Sequence, residues 1–240
     1  MIIAAVVVTV LLAVYVVKYL PLNKRWIISI VLLLITVLLG YKIYNGIMMP
    51  INFDIEKKAR YEKVIKQLKI IRDAEVAHYE VTGAYSKDKS GLIQFIDSAQ
   101  FAITETKNVE VKVDRGGGIS IMVSKRQVDT IGYEPVAGKF VGKDYKNMFS
   151  VPGTDKEFSI ATGTIEKIAG LFVPVFEVKV DKASVLAGMN NSLVKQEVEA
   201  KSTDQIKGEF VQVGSLNEVT TGGNWPPYYD KADGAKKDQK

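Results

Sequence analysis

Glu75 and His78 are the side chains whose types and spacing come closest to chemistry in this chain. Three residues apart on a helix, a carboxylate and an imidazole are neighbours on one face. A Glu-x-x-His step supplies half of the ligand set of a carboxylate-held metal pair in a four-helix bundle. The other half needs a second such step, and the sequence contains 1 histidine. The pair therefore reads as a partly buried, mutually paired Glu–His rather than a metal or catalytic site. A histidine triad would also need an orienting acid and an activated nucleophile, and no nucleophile-elbow motif is present. Gly116-Gly117-Gly118 lacks the Lys-Ser/Thr of a phosphate loop and no helix follows it, so it reads as a turn. Cysteine is absent, which excludes disulfides, thiol catalysis and Cys-ligated metals. The net charge of +5, from 32 basic against 27 acidic residues, is spread without an arginine stripe, which argues against nucleic acid as a partner. The sequence thus points to no enzyme, no cofactor and no metal.

The element that must carry Glu75 and His78 is a helix predicted over Asp54–Thr82. At about 100° per residue, Tyr61, Val64, Leu68, Ile71, Glu75, His78 and Tyr79 share one face. Tyr61, Val64, Leu68 and Ile71 form a stripe that needs a packing or interaction partner. Lys58, Lys66, Lys69 and Asp73 fall mainly elsewhere, and Gly83 suits the left-handed position that ends a helix.

Ahead of this helix, Trp26–Gly46 is apolar apart from Lys42. About twenty such residues rise about 30 Å, the thickness of a bilayer's hydrocarbon core. Trp26, Tyr41 and Tyr44 sit where interfacial aromatics belong. Ile2–Val17 reads as a shorter first span, making residues 1–49 a transmembrane helical hairpin turned at Leu22-Asn23-Lys24-Arg25. Lys18, Lys24 and Arg25 place that turn in the cytoplasm by the positive-inside rule and the C-terminal part outside it. Pro50 is predicted to break the chain between the span and the stalk helix.

Residues 50–225 read as one extracytoplasmic α+β domain. A short helix lies within Lys87–Gln100, capped by Asp88 or Ser90. Val109, Val111 and Val113, then Ile119, Ile121 and Val123, alternate with mostly polar residues and predict a hairpin whose apolar face joins the core. A short strand is expected near Phe140, and others at Phe158–Thr162, Thr164–Ile168, Phe172–Val180 and Glu209–Val213. Pro174 must lie at an edge or bulge. Ser184–Ala200 reads as helix broken near Gly188, and residues 226–240 as a disordered charged tail. The fold class is α+β: a membrane hairpin, a long amphipathic helix, then an antiparallel sheet with short helices.

The run from Leu68 through Ala74 and Tyr79 to Gly83-Ala84-Tyr85 resembles the helix end of type IV pilins and type II secretion pseudopilins. In those families a similar order follows an N-terminal membrane helix and precedes a sheet. No glycine-phenylalanine processing site stands before the span here, so the resemblance implies an unprocessed, membrane-retained subunit. Gly214-Ser215-Leu216 and Gly222-Gly223-Asn224-Trp225 are similar to a family of bacterial envelope proteins without an assigned activity. Together these imply a pilin-like structural or assembly subunit at the bacterial inner membrane. Its partners would be the lipid bilayer and other envelope-complex proteins, or further copies of itself. An extracytoplasmic sensor or regulatory ligand-binding domain is the alternative.

Overall fold

The computed structural model describes residues 22–114, 120–199 and 205–230, with scattered positions before residue 22. The first span, the glycine turn after Asp114 and the tail beyond Asp230 lie largely outside the described residues. The molecule is α+β: a long N-terminal helix that begins apolar, then two small antiparallel sheets. It divides into two units, residues up to Ile55 and residues from Glu56 onward.

Helix α1 spans Leu22–Thr82, 61 residues with Pro50 inside. Two expectations are corrected here. Leu22–Arg25 is not a turn but the opening of this helix, so the hairpin is not seen. Pro50 does not end the helix either. Losing one i→i−4 hydrogen bond costs about 3 kcal/mol locally, and Met48, Met49, Ile51 and Phe53 bring no turn chemistry to convert that loss into a stop. Within α1, Ser29–Thr82 contains an apolar window of mean hydropathy 1.9, none of it buried in the protein. Its length and composition are compatible with a membrane anchor. Trp26, Tyr41 and Tyr44 are all exposed.

From Glu56 onward α1 is amphipathic, with Tyr61, Val64, Ile65, Leu68, Ile71 and Ala74 buried. Gly83, at φ +77°, closes the helix by donating its N–H to the Tyr79 carbonyl at 2.8 Å. Helix α2 (Lys89–Ser98) is capped by Asp88, whose Oδ1 accepts from the Ser90 N–H at 3.0 Å, and it buries Leu92 and Ile96.

Strands β1 (Gln100–Asp114) and β2 (Ser120–Pro135) pair antiparallel as a two-stranded sheet of their own. A 3-10 turn, Val136–Phe140, stands where a strand was expected and buries both end residues. Strands β3 (Ser159–Ile168), β4 (Leu171–Asp181) and β5 (Phe210–Gly214) form the second sheet with β4 central. β5 pairs with only the Glu177–Asp181 part of β4, so at Pro174 one side of β4 is an edge. Helices α3 (Lys182–Val185) and α4 (Asn191–Val198) fill the connection between β4 and β5. The core gathers Phe140, Met148, Phe158, Phe176, Val178, Leu186, Val211 and Val213.

Candidate functional site

Glu75 and His78 share the helix face but not a bond. Glu75 is fully buried, and its Oε2 accepts from the Ser86 N–H at 2.9 Å, while its Oε1 has no hydrogen-bond partner. Burial pushes its carboxyl up to about 7, against the smaller opposing pull of the Ser86 N–H. His78 is turned instead toward the helix end. Its Nδ1 lies 2.7 Å from the Ala84 carbonyl and 3.1 Å from the Thr82 hydroxyl, and its ring meets Phe95 edge-on at 4.8 Å. The mutual pairing read from the sequence is therefore corrected. The segment after Gly83 folds back and supplies each residue with its own nearer partner. What results is a helix C-terminus held to the following loop, assisted by Tyr79 stacked on Tyr85 at 4.9 Å.

A second polar cluster was not foreseen. Lys57 Nζ donates to Glu197 Oε2 at 2.9 Å, and Lys182 Nζ lies 3.8 Å from Glu197 Oε1, with all three residues buried. Lys182 also donates to the carbonyls of Glu197 and Ile206, tying the two ends of the connection between α4 and β5. Burial holds the Lys182 ammonium below the usual lysine range, although Glu197 opposes it. The Tyr61 hydroxyl is buried beside Glu197, and burial together with that carboxylate pushes its ionisation far up. Lys57, Lys182 and Glu197 come from three separate elements, so no sequence spacing announces them. The arrangement is enclosed and already paired, and it acts as a tie between α1 and α4.

The stripe residues Tyr61, Val64, Leu68 and Ile71 are all 1% exposed or less, so in this chain they are packing surface. Lys69 is not a plain solvated residue: its ammonium meets the Tyr229 carbonyl and the Asp230 carboxylate, each at 2.9 Å. Residues 226–230, expected to open a disordered tail, are thereby folded onto α1, with Tyr229 buried. Polar segments can be ordered when a lysine and an aromatic each find a fixed partner.

Two clefts flank α1. One, of about 360 Å³, is lined by Glu62, Lys63, Lys66, Lys69 and Tyr229. The other, of about 410 Å³, includes Arg72, Asp73, Glu80, Lys139 and Lys143, whose charges largely cancel through Lys143–Asp73 at 2.8 Å, Arg72–Asp73 at 3.1 Å and Lys139–Glu80 at 3.4 Å. Among the described residues, no group of three or more His, Cys, Asp or Glu is placed to hold a metal ion.

The glycine segments near the end are brought together by the fold. The Gly214 N–H donates to the Gly222 carbonyl at 2.9 Å, and Asn224 grips β5 through both side-chain atoms, to the Gln212 N–H at 3.0 Å and the Phe210 carbonyl at 2.8 Å. Gly214 stands at φ +72° with the Phe176 carbonyl where a Cβ would be, so only glycine fits. These residues secure the open side of β5.

The β1–β2 ribbon carries much of its apolar content in the open. The apolar face expected to join the core is bare: Ile103, Val109, Val111, Val113 and Val123 are 38–43% exposed. In register, Val111 faces Val123 and Val113 faces Ile121, so the aliphatics of the two strands lie side by side on one face. The alternation is real; what it could not reveal is that, among the described residues, only the base of that face is covered, where the Lys139 ammonium lies 3.8 Å from the Phe101 ring. Comparisons of the chain with protein-family models, with curated proteins and with solved structures gave no match.

Proposed function

We propose that this protein is a membrane-anchored, non-catalytic structural or assembly subunit of a bacterial envelope apparatus, pilin-like in its N-terminal region. It works through protein–protein contacts made outside the cytoplasm. The observation that carries the reading is the exposed ribbon: two long strands with Val109, Val111, Val113 and Val123 in the open and, among the described residues, no further strand at either edge are a surface for another protein. The unburied apolar part of α1 supports an anchor, and its passage through Pro50 without a break keeps the single long helix that the pilin resemblance calls for.

The test uses native membranes. The chain should remain with the membrane after alkaline carbonate extraction, and protease added to intact spheroplasts should remove its C-terminal part. Crosslinking before solubilisation should then capture it in defined, stoichiometric complexes. Full protection from protease would reverse the orientation. A solitary chain under gentle crosslinking would return the alternative, a ligand-binding sensor, to first place.

A further inference from the structure

We infer that the free edge of β1 pairs antiparallel with the β1 edge of a second copy of this chain, about a two-fold axis through Thr106. The inference rests on the assembly reading above and names its partner and contact. An isolated two-stranded ribbon is at best marginally stable in water and gains by adding strands. Both edges are open among the described residues, where the sheet consists of β1 and β2. They are not equivalent. The register shifts between Ile103 and Thr104, leaving Ile131 as an extra residue on β2, whereas β1 carries no inserted residue. A bulge spoils an edge for pairing, so the regular edge is that of β1.

Charge selects the partner and the register. A symmetric antiparallel pair keeps residues of one face opposite one another, so the axis must pass through a residue. With Thr106 on the axis, Glu105 lies opposite Lys107 of the other copy, twice over. Ile103 then meets Val109 and Phe101 meets Val111 on the same face, while Thr104 meets Asn108 on the other. Moving the axis to Glu105 or Lys107 sets like charges against each other. Moving it to Asn108 sets Glu105 and Lys107 opposite valines. The ribbon also carries an imbalance that this register corrects. Within one copy Glu105 sits directly across from Asp129, a repulsive cross-strand pair, relieved by Lys107 beside Glu105 at 2.9 Å and by the Gln127 amide, which donates to Asp129 Oδ1 at 2.9 Å. A second Lys107 arriving from the open side sets a positive charge directly against Glu105, on the edge away from Asp129. The same register also brings Ile103 and Phe101 of each copy against Val109 and Val111 of the other, on either side of the central charged pairs.

The full-length chain has no cysteine, so one introduced thiol reports without interference. In native membranes or detergent, Thr106→Cys should give a disulfide-linked homodimer on mild oxidation. Val111→Cys alone, facing Phe101 of the partner, should not. Lys107→Glu and Glu105→Lys should each reduce self-association at least tenfold, and the double exchange should restore it. All of these positions except Phe101 are exposed, and unchanged melting of each variant confirms that its fold is intact. Equal crosslinking at Thr106 and Val111, or no rescue by the double exchange, would overturn the register. A monomeric chain that still crosslinks stoichiometrically to other envelope proteins would overturn the homotypic contact while leaving the assembly reading intact. Loss of every complex in native membranes would end both.

Discussion

Strands β1 and β4 each carry an apolar side and end in opposite circumstances. In β4, Val175, Phe176, Glu177, Val178 and Val180 are all buried, so both faces are covered over that part of the strand. In β1, Val109, Val111 and Val113 are exposed on a face that reads as regularly as any in the chain. The difference is neighbours. β4 has β3 on one side, β5 along part of the other, and the aromatic ring of Tyr85 against Phe176 at 4.7 Å. β1 has β2 alone. Alternation therefore specifies that a strand has an apolar side, and the rest of the fold determines whether that side is filled from within or left for another molecule.

The strongest way to break this contrast is to unpair the interior of the packed part. Glu197→Ala would leave the Lys57 and Lys182 ammonium groups buried without their shared carboxylate, and should cost about 3–5 kcal/mol. Denaturant unfolding of the full chain in detergent would measure it, and a loss within error would mean that water reaches the cluster. Next in size, Leu68→Ala opens a cavity under a side chain that is fully buried, for about 2–5 kcal/mol. Unchanged melting would show that the stripe is not packing surface in solution.

Glu75 sharpens the comparison through pH. Its carboxyl is held at about 7 when folded and near 4.5 when exposed. The folded chain thus keeps a proton that the unfolded chain releases, and stability falls as pH rises from about 4.5 to 7. Glu75→Gln removes that slope and should gain up to about 3 kcal/mol at pH 8 relative to pH 4.5. Parallel unfolding curves of the two proteins at both pH values would test the sign. The smallest effect belongs to the ribbon. In the monomeric chain Val111→Ala should shift stability by no more than about 0.5 kcal/mol, as exposed positions usually do. A loss comparable with that of Leu68→Ala would show that the ribbon folds back on its own domain.

Local signals placed most elements. Asp88 opens α2, Gly83 closes α1, and the break near Gly188 separates α3 from α4, because each rests on backbone chemistry confined to a few residues. Two local signals misled for the same reason. Pro50 weakens a helix without supplying an alternative turn, and Phe140 became part of a 3-10 turn because its burial did not require a strand. The candidate site was less readable. Glu75 was marked correctly as a titratable residue on an apolar face, but its partner, Ser86, comes from the chain's return past Gly83.

Residue order was enough to fix the long apolar helix, the amphipathic stripe and the existence of paired strands, since hydropathy, period and capping act over one or two turns of chain. It could not fix the Lys57–Glu197–Lys182 tie, the docking of Tyr229 and Asp230 on Lys69, or the bareness of the ribbon. Lys57 and Glu197 meet across 140 positions and Lys69 and Tyr229 across 160. At such separations a lysine's partner is chosen by which elements pack together. The same packing leaves β1 with an open edge, because exposure is a property of what surrounds a strand and not of the strand's own residues.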